Sequence, residues 1–137
     1  MTSGARASRL FREARRVAAE MRSDIEAGDW NLSARRAQEV VELVITTVLT
    51  ALGIDYPSTH DPAPLLMEAV RARRLDADPA GLEWLVPLSA RLAEIRGPAF
   101  YQEIEVSETE ARTVVRGAER VLEFGRGRLA ALGFGEA

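Results

Sequence analysis

The chain has 137 residues, 47% of them hydrophobic, which is enough for one domain with a real core and too little to be comfortably two. Its 18 basic residues, all arginine, stand against 21 acidic ones, and the net charge of -3 argues against a whole-surface attraction to nucleic acid while leaving room for a local basic ridge. With no cysteine and one histidine, disulfides, thiolate chemistry, cysteine-based zinc sites and a multi-histidine metal site within one chain are excluded.

Helical periodicity dominates. Leu10, Ala14, Val17, Ala18, Met21 and Ile25 recur at three- and four-residue steps, the mark of one apolar helix face, and Gly28 follows as a terminating glycine. This predicts a first helix over about 8–27. Trp30, Ala34, Ala37, Val41, Val44, Val48 and Leu52 hold the same spacing in a second helix, and Val40, Ile45 and Leu49 widen its stripe. A stripe that wide implies burial on two sides, against other helices or against a second copy of the chain.

Gly53 stops the second helix, and Asp55 to Thr59 read as a loop in which Pro57 forbids continuation. Thr59 or Asp61 then serves as N-cap of a short third helix over about 62–73, with Pro62 in the first turn, where a missing N–H costs nothing. Asp78 and Pro79 repeat that start signal for a fourth helix. Pro87 is expected to split it near Trp84 to Val86, and Gly97 and Pro98 to end it. Ser107 and Glu110 have capping-box spacing and open a last helix over about 108–132, carried by Val114, Ala118, Val121, Leu122 and Leu129. Gly117, Gly125 and Gly127 weaken that helix by up to about 1 kcal/mol each relative to alanine, and small residues there permit close helix contact.

Ile104 and Val106 make too short a run for a strand, and only the tail GFGEA reads as frayed. The result is an all-α fold, an antiparallel up-and-down bundle of about five helices, in a single domain over 1–137 with its core at about 8–132. No apolar run approaches the roughly 20 residues of a membrane span, and the first residues hold no segment of signal-peptide type, so a cytoplasmic location is expected.

Several features fall in a particular order. A Gly-Asp turn (Gly28, Asp29) precedes Trp30, and Ala37, Gln38, Glu39 and Glu42 follow on the same helix. After Gly53 and Pro57 come Thr59, His60 and Asp61 at a helix start, and LAEIRGPAFY, over 92–101, is similar to an Arg-x-Pro-x-x-Tyr corner before a last long helix. In that order, over roughly 10–129, the chain resembles a HEPN domain of the prokaryotic stand-alone type, a family named for nucleotide binding in higher eukaryotes and prokaryotes. The resemblance implies the helical bundle, a homodimer and recognition of a nucleotide or RNA. Relatives are often encoded beside a small nucleotidyltransferase, which makes such a protein the expected partner. No cofactor and no metal is implied.

His60 is the first candidate binding residue, with Asp61 beside it. It lies at a helix start, where backbone N–H groups and the helix dipole favour an anion such as phosphate. In the plainer alternative His60 packs against the end of the second helix and bonds a loop carbonyl, while Asp61 caps. Arg96, Phe100 and Tyr101 form a second cluster. Catalytic HEPN ribonucleases carry an arginine followed four to six residues later by a histidine; here Tyr101 follows Arg96 at five, and no histidine comes after it. Tyrosine, with a reference pKa of about 10, is a poor general base near neutral pH, so no catalytic residue is assigned. Arg96 keeps a guanidinium able to hold phosphate, the alternative being a salt bridge or cap at the end of the fourth helix.

Glu42 is the third candidate, set in the apolar stripe, where the family often has a lysine four residues on and this chain has Thr46. It faces solvent or bonds an arginine or tyrosine of the last helix. Arg112, Arg116 and Arg120, and also Arg71, Arg73 and Arg74, form basic clusters, but Glu108 and Glu119 lie within reach of the first set and point to ordinary surface ion pairs. Arginine abundance itself is better explained by a GC-rich coding bias than by selection for guanidinium chemistry, and carries no functional weight.

Three functions are open on these grounds. One is a non-catalytic or weakly active HEPN module that binds a nucleotide, an RNA or a nucleotidyltransferase partner as a homodimer. Another is a ribonuclease toxin of a toxin–antitoxin pair, using His60 with Arg96. The third is a purely structural helical dimer.

Overall fold

The computed structural model describes residues 2–56 and 58–134. Its organising element is α2 (Trp30–Ala51), capped by Asp29, whose carboxylate accepts from the Leu32 N–H at 3.0 Å. Ala34, Ala37, Val40, Val41, Val44, Ile45, Val48 and Leu49 are all buried, and so are Ser33, Gln38, Thr47 and Thr50. Helices α1 (Ser3–Glu26), α4 (Leu85–Phe100) and α5 (Glu108–Ala131) each pack on α2. The wide stripe is therefore covered by three helices of the same chain and no longer argues for a second copy.

Phe11 and Met21 of α1, Leu85 and Leu92 of α4 and Leu129 of α5 fill the core, with Leu66 and Met67 of the short α3 (Ala63–Arg71). Each such side chain contributes about 1.5–3 kcal/mol by leaving water. Arg22 of α1 meets Glu119 of α5 while Phe11 lies by Gly125, so α1 and α5 are antiparallel. Asn31 lies by Val106, and Val44 by Gly125, so α2 and α5 run the same way. The four long helices go up, down, up, down. Among the described residues there is no strand, and no helix is long and apolar enough to cross a membrane.

Several boundaries differ from the sequence reading. α1 starts at Ser3, capped by the Thr2 hydroxyl on the Ala5 N–H at 3.1 Å, because Ala7 already belongs to the buried face. α3 has Pro62 at its cap position and no side-chain cap; Thr59 accepts instead from the Asp61 N–H at 3.1 Å, so neither residue caps α3 as expected. The fourth segment does split near Trp84, into a single 3-10 turn (Ala80–Leu82) and α4. Pro87, however, sits in the first turn of α4, where its missing N–H has no helical partner to lose.

Gly97 and Pro98 do not end α4. The helix continues to Phe100 and closes through Gln102 in the left-handed region (φ 57°), with the Glu103 N–H donating to the Pro98 carbonyl at 2.8 Å. A closure without glycine is invisible to a reading keyed to glycine. Ser107 caps α5 as expected, accepting from the Glu110 N–H at 3.1 Å, but the Glu110 carboxylate takes Arg91 at 2.8 and 3.1 Å rather than completing a capping box. Pro57 and Gly135, Glu136 and Ala137 lie outside the described residues. Phe134, read as frayed, is partly buried against the core beside Gly4, and its N–H donates to the Leu129 carbonyl at 3.0 Å.

Two of the three α5 glycines are close-approach points. A Cβ on Gly117 would lie 2.7 Å from Leu88 Cδ1, and one on Gly125 would collide with Val44; one on Gly127 would meet no described residue within 4 Å. Gly125→Ala is accordingly expected to destabilise the fold by about 1–3 kcal/mol through overpacking. Gly127→Ala is expected to stabilise it by about 0.5–1 kcal/mol through helix propensity. Urea unfolding of the two variants should therefore give shifts of opposite sign.

Candidate functional site

The N-terminal half of α2 and the last turn of α4 leave a cleft of about 270 Å³ between them, lined by Arg35, Gln38, Glu39, Arg96, Gly97, Phe100 and Tyr101. Arg35 lies over the Phe100 ring, 4.4 Å from its centroid, and the Phe100 and Tyr101 rings meet edge to face at 4.9 Å. Both aromatics are unusually open, Phe100 at 52% and Tyr101 at 72% exposure. A Cβ on Gly97 would meet nothing within 4 Å, so the α4 wall is open there.

The charges of this cleft are unequally satisfied. Glu39 is drawn to Arg36 at 2.7 Å, and Arg36 also faces Glu20 at 3.3 Å and Asp24 at 4.0 Å. Burial raises the Asp24 carboxyl above its ordinary range, with Arg36 opposing that shift and Asp29 and Glu20 adding to it. Arg35 and Arg96 have no carboxylate partner among the described residues. The cleft thus offers two guanidinium groups and two exposed rings to whatever enters it, and the predicted salt bridge or cap for Arg96 is replaced by an open position.

His60 and Glu42, separate candidates in the sequence, are brought together. His60 Nδ1 lies 2.9 Å from Glu42 Oε1, and since a carboxylate only accepts, the ring nitrogen is the donor. Gln38 Nε2 donates to the other Glu42 oxygen at 3.2 Å, one helical turn earlier on the same face of α2. Gln38 is 1% exposed and its Oε1 is buried without a hydrogen-bond partner among the described residues. His60 therefore neither bonds a loop carbonyl nor lines the cleft; it is joined to the cleft wall through Glu42 and Gln38. Glu42 bonds this histidine rather than an arginine or tyrosine of the last helix. Asp61 accepts from the Ser89 hydroxyl at 2.6 Å and so fastens the start of α3 to α4.

The arginine ridge on α5 is taken up locally: Arg112 pairs with Glu108 at 2.8 Å and Arg120 lies over the Trp84 ring at 3.9 Å. Glu119 instead pairs with Arg22 across the bundle at 2.6 Å. Sequence reasoning missed Arg35, which carries no local signal, and Asn31. The Asn31 amide donates to the Ile104 carbonyl at 2.8 Å and accepts from the Val106 N–H at 2.7 Å, clipping the α4–α5 connection onto α2 beside the cleft.

The model of the HEPN domain family matches residues 7–128, and the chain belongs to that family. Membership implies a nucleotide- or RNA-related function. No curated protein and no solved structure matches the chain.

Asn31→Ala leaves the buried Val106 N–H without its acceptor, a loss of about 1–3 kcal/mol. The expected outcome is a lower urea midpoint together with faster hydrogen exchange at the Val106 amide. Unchanged exchange there would show that the clip contributes nothing.

Proposed function

We propose that this HEPN module binds a nucleotide or a segment of RNA in the α2–α4 cleft and does not cleave it. The observation that carries this is the pair of guanidinium groups, Arg35 and Arg96, without carboxylate partners on a cleft that also exposes Phe100 and Tyr101. A guanidinium binds phosphate oxygens through charge-assisted hydrogen bonds, and an exposed ring offers a face to a base. Cleavage without a metal proceeds by attack of the RNA 2′-oxygen on the adjacent phosphorus, which breaks the P–O5′ bond, and it needs a general base near neutral pH to take the 2′-OH proton. The residue five places after Arg96 is Tyr101, and the one histidine is held by Glu42 outside the lining.

The module acts as a homodimer. This rests on the family resemblance alone, since the wide α2 stripe is covered within the chain and Phe100 and Tyr101 belong to the cleft. A small nucleotidyltransferase is the proposed protein partner, on the strength of the family resemblance alone.

The test is binding of nucleoside monophosphates and a fluorescent oligoribonucleotide, measured alongside strand cleavage, for wild type and Arg96→Ala. Wild type is expected to bind without cleaving. Arg96→Ala should weaken binding about tenfold, equivalent to about 1.4 kcal/mol, at an unchanged melting temperature. Cleavage by wild type that disappears in Arg96→Ala would overturn the non-catalytic reading. Light scattering should return twice the 15.0 kDa chain mass.

A further inference from the structure

The charge of this chain is distributed unevenly. Residues 1–16 hold five arginines and a single acid, Glu13, whereas the remainder holds 13 arginines against 20 carboxylates. Four of the five, Arg6, Arg9, Arg12 and Arg16, recur at steps of three, three and four along the outer side of α1, all exposed. With Leu10 and Glu13 they line a groove of about 530 Å³. Glu13 is engaged by Arg16 at 2.9 Å. Arg6 and Arg12 make no ion pair among the described residues.

This row works against the fold that carries it. Like charges three and four apart on a helix repel, and cations near a helix N-terminus oppose its dipole; α1 has no acidic residue in its first turn to offset them. The pair with Glu13 accounts for Arg16, but helix stability gives no account of Arg6 and Arg12. It also lies away from the cleft: the first half of α1 packs toward the C-terminal end of α5, with Gly4 against Phe134 and Phe11 against Gly125, whereas the cleft is at the N-terminal half of α2.

We propose that the outer face of α1 is a docking row for the phosphodiester backbone of single-stranded RNA, separate from the cleft. From Arg6 to Arg16 the helix advances about 15 Å, a straight line of guanidinium groups along the groove to which a flexible strand can fit its phosphates. A rigid duplex meets such a line at fewer points. A lipid surface is disfavoured because the apolar face of α1 (Ala7, Phe11, Ala14, Val17, Ala18, Met21) is already buried in the bundle and has nothing left to insert. An acidic protein is disfavoured because the groove has one apolar side chain, Leu10, and no aromatic anchor. The contact is electrostatic and indifferent to base sequence.

The experiment measures the salt dependence of binding to a fluorescent oligouridylate for wild type, for the quadruple variant Arg6→Gln, Arg9→Gln, Arg12→Gln, Arg16→Gln, and for the same four positions changed to Lys. Four neutralised phosphates contribute a slope of about -2.8 in log affinity against log salt, so the Gln variant should lose about 2 to 3 from the wild-type slope and the Lys variant should keep it. Melting temperatures of the Gln and Lys variants, measured alongside, should show both to be folded under the binding conditions. A wild-type slope retained in the Gln variant overturns the proposal, as does wild type that binds no RNA. Row-dependent binding to anionic vesicles or duplex DNA equal to that of RNA overturns the choice of partner. Arg96→Ala should leave the slope difference between wild type and Gln variant intact, so failure of the cleft reading and failure of this one are told apart.

Discussion

Every part of this molecule takes its position from the burial of α2. A helix covered by α1, α4 and α5 has almost no circumference left for polar chemistry, and the polar groups it keeps must be satisfied by neighbours or gathered where the covering helices part. That parting occurs along the last turn of α4, where Gly97 adds no bulk and the backbone turns away after Phe100. Arg35 and Glu39 emerge there, with the buried Gln38 amide forming the wall between them. The cleft is a consequence of how α2 is packed, and its chemistry is the few α2 residues that reach its wall together with Arg96, Phe100 and Tyr101.

The bundle was legible because its signals are local. The three- and four-residue apolar rhythm of α2 and α5, the glycines after α1 and α2, and the Ser107 cap each lie within a few residues of what they determine. The end of α4 was not, because Gln102 takes a left-handed backbone without being glycine and Pro98 is tolerated in the final turn. The boundary depends on a tertiary requirement, the Asn31 clip on the α4–α5 connection, whose partners are 73 and 75 residues away. Nothing near Asn31 in the chain announces them.

The site shows the same division. Arg96 and Tyr101 stood out by motif, and both line the cleft. His60 and Glu42 stood out separately, one by rarity and one as a carboxylate among valines and leucines, and their pairing across 18 residues was not readable from either. The pairing matters because it turns two weak candidates into one support: Glu42, held by His60, in turn orients the buried Gln38 amide on the cleft wall. On this geometry the histidine that invited a catalytic reading acts by holding a carboxylate.

Arg35 and Arg36 make the argument sharpest. They are neighbours of identical chemistry, yet a step of one residue turns a side chain by more than a quarter of a helical circle. Arg36 is thereby placed among Glu20 and Asp24 of α1 and Glu39 of its own helix, and becomes part of the clamp between α1 and α2. Arg35 is placed toward α4, whose last turn supplies a phenyl ring and no acid, and is left with charge to give. Composition counts the two alike, and so does any motif short of the fold. What separates a cation fixed among carboxylates from one left without them here is the direction of a helix face and the residues that happen to be opposite it. That is also why the arginines of α5, paired or stacked where they lie, carry less functional weight than the row on the outside of α1.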